Sequence, residues 1–276
     1  MKITDTIGDI ALCYENGKFT KSGWDGYMDK VCPAAKKLIE SDSASYVFDH
    51  DVLPVLNMVY ERPDKLAQLR ESFAKVTHGL EACVERALHS AVDADIVLYL
   101  GLCNGAGWAT RVGDRPTILL GAEKIIELDW CDEISMIGLV YHELGHLWHF
   151  QNRTVQTDIK SISDSALWQL YTEGVAMYFE QMLCGDESFY HQNKNGWLAW
   201  CCENRQRIFA EYLRRVENGE GVQDFFGDWN SFEGYSDIGY YLGAELLHRA
   251  FEKYTQIEVL QLSPDEVRKL LADCAE

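Results

Sequence analysis

The segment VYHELGHLWHF, residues 140–150, sets His142, Glu143 and His146 in a His-Glu-x-x-His arrangement. At about 100° per residue, the two histidines fall one turn apart on one helix face, with Glu143 beside them. Imidazoles spaced in this way reach a single metal ion. Ser135, Gly138 and Gly145 share the stripe and leave room above it, whereas Ile134, Ile137, Val140, Tyr141, Leu144 and Trp148 form an apolar stripe directed elsewhere. Zinc accepts neutral imidazole readily, and a catalytic zinc site needs three protein ligands plus an open position for water. One ligand remains to be found. In LYTEGVAMYFE, residues 170–180, Glu173 interrupts an otherwise apolar helix and is followed by Gly174 and Ala176, small residues that let two helices approach closely. Burying a lone carboxylate is costly unless it is paired or bound to a metal, so coordination by Glu173 accounts for its presence there.

HELGHLW followed by EGVAMYFE resembles the gluzincin metallopeptidases, especially their aminopeptidase branch, whose pattern is H-E-L-x-H-x-W and then E-G-x-A-x-Y-x-E. The chain is also similar to the predicted zinc-dependent proteases of that clan. The resemblance is close over the two motif helices and loose over about residues 100–255. It implies that His142, His146 and Glu173 hold one zinc ion per chain and that Glu143 is the general base; Tyr178 and Glu180 match the later positions of the second motif. It also implies a tyrosine on a later helix, three residues before a glycine, that stabilises an oxyanion. SDIGYYLGAELL offers Tyr240 and Gly243 at that spacing, with Tyr241 as the neighbouring candidate. Two departures are visible. His146 and Glu173 are separated by 26 residues, more than the branch usually has, and the stretch Gly105-Ala106-Gly107-Trp108 lacks the glutamate that binds a substrate's free amine.

The chemistry so implied is hydrolysis of peptide bonds in a peptide or protein substrate. Zinc lowers the pKa of water to about 7, Glu143 takes its proton and returns it to the leaving amine, and Tyr240 donates to the oxyanion. Two other readings use the same residues. Glu143-x-x-His146 and Glu245-x-x-His248 are two Glu-x-x-His pairs, as in ferritin-like di-iron bundles, which add one glutamate from each of two other helices, with Glu173 or Glu180 available here. Alternatively the protein binds zinc without catalysis, with His149 as a fourth ligand closing the site.

The elements that must position these residues follow from patterning. Asn16-Gly17 between short alternating runs predicts a hairpin. Residues 30–89 carry apolar positions at helical spacing, interrupted by Pro54 and Pro63; then IVLYLGLC, WATRV and PTILLG read as the strands of a small sheet. The His142 helix is predicted to start at Asp129 or Asp132, and the Glu173 helix near Ser163-Asp164, ending at Gly185. Helices over roughly 196–217 and 237–254 follow, and a short one opens at Ser263-Pro264. The expected architecture is α+β, mostly helical and, given the resemblance, zincin-like: an N-terminal lobe of about 1–128 and a helical lobe of about 129–276 carrying the metal site. With 276 residues, 47% of them hydrophobic, the chain can bury a core without disulfides, and its nine cysteines, an odd number lacking any CxxC pair, read as reduced. The 44 acidic against 25 basic residues, a formal charge of −19, oppose binding to nucleic acid or anionic lipid. No secretory leader or membrane-length apolar run is legible, so a soluble cytoplasmic protein is expected.

Overall fold

The computed structural model describes residues 1–227 and 230–275. It is α+β and mostly helical, with one small mixed sheet. The chain forms two compact units, Met1–Leu147 and Trp148–Glu276. Among the described residues no helix is long and apolar enough to cross a membrane.

The first unit begins with strand β1 (Lys2–Asp5), a hairpin of β2 (Tyr14–Glu15) and β3 (Lys18–Phe19), and helices α1 (Lys21–Val31) and α2 (Lys36–Asp42). Asn16 and Gly17 turn the hairpin with φ of 50° and 77°, as the dipeptide predicts. Helices α3 (Leu53–Tyr60), α4 (Pro63–Thr77) and α5 (Leu80–Leu88) follow. Pro54 and Pro63 sit in first turns, where a missing N–H is harmless, so they start α3 and α4 rather than interrupt one long helix.

Strands β4 (Asp95–Tyr99), β5 (Gly107–Val112) and β6 (Arg115–Gly121) complete a sheet in the order β1-β4-β6-β5. β1, β4 and β6 run parallel, whereas β5 pairs antiparallel with β6, Gly107 opposite Leu120 and Ala109 opposite Ile118, and forms one edge. The end of β4 is fixed by buried polar contacts. Trp24 Nε1 donates to the Leu100 carbonyl (2.9 Å), and Tyr27 Oη accepts the Leu100 N–H (2.9 Å). α6 (Ala122–Glu127) leads into α7 (Glu133–Asn152), the helix of both histidines. Asp132 caps α7, accepting from the Ser135 N–H (2.9 Å) and hydroxyl (2.7 Å), which settles the choice against Asp129. Ile134, expected on the apolar stripe, is instead 65% exposed in the first turn of α7.

In the second unit α8 (Ile162–Cys184) is the central helix. Ser161 caps it by accepting the Asp164 N–H (3.0 Å), and Gly185 ends it at φ 67°. The predicted helix over 196–217 is two, α9 (Trp197–Glu203) and α10 (Arg205–Asn218), broken at Asn204. α11 (Ile238–Phe251), α12 (Gln256–Val259) and α13 (Pro264–Ala275) complete the unit, and α10, α11 and α13 pack on α8. Arg153, just after α7, donates to the carbonyls of Leu260 (2.9 Å) and Leu262 (3.1 Å), while the Gln261 side chain binds the Thr154 and Val155 N–H groups. The long connection between α7 and α8 is thus held by the turn after α12.

Candidate metal centre

Among the described residues, the one group of three able to hold a metal ion is His142, His146 and Glu173, whose donor atoms all lie within 4.8 Å of one another. The helical spacing brings the histidines together: their rings stand 4.8 Å apart and nearly perpendicular. Donors held about 2.0–2.2 Å from a tetrahedral metal stand roughly 3.3–3.6 Å apart, a small adjustment from the spacing found. Two imidazoles and one carboxylate are a donor set that suits zinc.

Glu173 is presented by a close helix crossing. A Cβ on Gly174 would lie 2.5 Å from the Gly243 carbonyl oxygen, and one on Gly243 would lie 2.8 Å from Gly174 Cα. Both glycines are needed for α8 and α11 to approach so closely. Tyr240, one turn before Gly243, lies near that side of α11, its ring edge-on to Phe226 at 5.6 Å. Tyr241 points elsewhere: it is buried beside Tyr190 (6.0 Å), and burial raises its hydroxyl pKa.

Glu143 is not part of the metal-binding group. It is buried at 7% exposure, and its Oε2 accepts the Ala109 N–H of β5 (2.7 Å). Sequence reasoning missed this link, although the glycines before Trp108 were its signal. It also missed Glu123, which is fully buried at the start of α6 and accepts the N–H groups of Gly101 (2.8 Å) and Cys103 (3.1 Å). Glu123 therefore fixes the loop leading into β5. Loss of water pushes its carboxyl up to about 6, and the two N–H groups limit the rise. Its signal was an acidic residue inside the apolar run ILLGAEKII.

The remaining sequence candidates have other partners. His149 is buried against Trp168 (5.8 Å) and Tyr171 (5.0 Å) and is absent from the metal-binding group. Glu245 pairs with Arg205 (2.9 Å), and His248 Nε2 bonds Gln181 Oε1 (2.8 Å), so both members of this second Glu-x-x-His pair have partners of their own. Tyr178 stacks on Phe251 at 4.0 Å. Glu180, wholly buried, holds His191 through its ring (2.9 Å) and its N–H (3.2 Å), fixing the segment after α8. His191 is buried by this pairing. All nine cysteines are free thiols. No family model, curated protein or solved structure matches the chain.

Proposed function

We propose that the protein is a zinc-dependent peptidase of zincin-like architecture. The observation that carries this reading is the division of labour on α7: His142 and His146 group with Glu173, whereas Glu143, between them in sequence, is bound to an edge strand and left out of the ligand set. A metal store needs no such carboxylate. Bound by the three ligands, zinc supplies Lewis acidity and lowers the pKa of water to about 7.

The chain's own residues do the rest. Glu143 takes a proton from the attacking water as the water oxygen bonds to the peptide carbonyl carbon. As the C–N bond breaks, the same proton passes to the leaving nitrogen. Tyr240 donates its hydroxyl to the carbonyl oxygen as negative charge develops there. β5 forms a sheet edge, and the Ala109 carbonyl lies on the same side of the strand as its N–H, so an extended substrate can donate to it. Such main-chain recognition selects for an extended peptide more than for its sequence.

Metal content and hydrolysis of a mixed peptide library, measured on one preparation, test the proposal. Glu143→Gln should retain stoichiometric zinc and lose about 10²- to 10⁴-fold in rate. A zinc-loaded wild type that cleaves nothing would leave a zinc-binding protein without catalysis. Loss of metal from Glu143→Gln, with two irons in the wild type, would establish the di-iron reading instead.

A further inference from the structure

Gly107 has no conformational need to be glycine. It lies in the regular strand β5, opposite Leu120, and is not among the residues with positive φ. What excludes a side chain is Glu143: a Cβ on Gly107 would stand 2.7 Å from Glu143 Cγ and 2.8 Å from Cδ, and nearer still to Oε1. Unstrained carbon contacts lie at about 3.5–4.0 Å. The carboxylate cannot yield without loss, because its Oε2 is tied to the Ala109 N–H (2.7 Å) and the residue is buried. The N–H two residues along β5 thus holds one oxygen, and the bare backbone of Gly107 provides the surface over which the other lies.

We propose that β5 positions the Glu143 carboxylate, and that Gly107 is a positioning residue whose missing side chain sets where Oε1 meets the attacking water. The catalytic part of this inference rests on the peptidase reading; the clamp itself does not. Alanine at Gly107 must push Glu143 aside by roughly 0.8 Å to restore an ordinary contact. A misplacement of about 1 Å at a reacting group costs on the order of 10²-fold in rate. The metal ligands are untouched by this change, and so is the substrate-binding carbonyl of Ala109.

The test is a four-protein cycle of wild type, Gly107→Ala, Glu143→Ala and the double variant. In the metal-free proteins, Gly107→Ala should lower the melting temperature by at least about 2–4 °C, and by almost nothing once the Glu143 side chain is gone. With zinc loaded, Gly107→Ala should keep its metal and its KM while kcat falls about 10²-fold. Equal destabilisation with and without the Glu143 side chain overturns the proposal, as does an unchanged kcat in an active wild type. If Gly107→Ala fails to fold, recovery of folding in the double variant supports the clamp, and failure of both refutes it. Should the zinc-loaded wild type hydrolyse nothing, the peptidase reading falls, and the melting cycle alone decides whether β5 holds Glu143.

Discussion

Gly243→Ala probes the helix crossing that presents Glu173. The new methyl would stand 2.8 Å from Gly174 Cα and N and 3.0 Å from the Leu170 carbonyl oxygen. All three are backbone atoms that cannot rotate aside, so α11 must retreat from α8 by roughly 0.7 Å to reach an ordinary contact. Overpacking of this kind costs about 1–3 kcal/mol, and a clash with backbone alone belongs at the upper end. Alanine's better helix propensity returns about 0.8–1 kcal/mol. The net loss is then about 1–2 kcal/mol, a melting temperature lower by about 2–8 °C for a domain of this size. Because Gly174 directly follows Glu173, the same displacement moves the carboxylate, and zinc affinity should weaken about 10–100-fold, as it does when the support of a ligand is disturbed. Thermal unfolding of the metal-free protein and zinc competition with a chelator measure the two effects. A variant that melts above wild type, as propensity alone would give, and binds zinc equally well would refute the close crossing as the device that sets Glu173.

Two other perturbations separate neighbouring roles. Glu123 has a carboxyl raised from an ordinary 4.5 to about 6 by burial, so the folded state favours its protonated form. Its stabilising contribution is complete below pH 4.5 and is lost as pH rises through 6, a change of about 2 kcal/mol. The difference in unfolding free energy between wild type and Glu123→Gln should fall across that window; a flat difference would contradict the burial argument. Tyr240→Phe should lower kcat by about 10²- to 10³-fold at constant zinc content, whereas Tyr241→Phe should leave hydrolysis unaltered. The reverse pattern would reassign the oxyanion donor to Tyr241.

Where a residue's partner lies within a turn or two of helix, the sequence was enough to locate it. His142 and His146 meet because of a 3.6-residue period, Gly185 ends α8 because the chain there needs a positive φ, and the Asn16-Gly17 turn is equally local. One edge of the sheet was harder to read. β1 is only Lys2–Asp5, largely exposed, and becomes a strand by pairing with residues 95–98. Asn204 breaks the expected long helix into α9 and α10 without the glycine or proline that would have marked the break. The links from Ala109 to Glu143 and from Glu180 to His191 join residues 34 and 11 positions apart, and no periodicity encodes them. A buried acid in an apolar run marks a residue with a partner, but not which partner.

The attachment of Arg153 also bears on the order of events in folding. Its carbonyl acceptors, Leu260 and Leu262, lie 107 and 109 residues further along the chain, and Glu173 falls inside the loop those contacts close. A helix such as α7 forms within about a microsecond, whereas ordering so distant a pairing belongs to the slow, topology-limited phase. During vectorial synthesis the histidine pair would therefore exist on a formed helix well before the connection to the glutamate ligand is fixed. If His142, His146 and Glu173 hold a metal, an incomplete chain would offer it the two imidazoles alone, and Glu173 would be in place only once the second unit has folded.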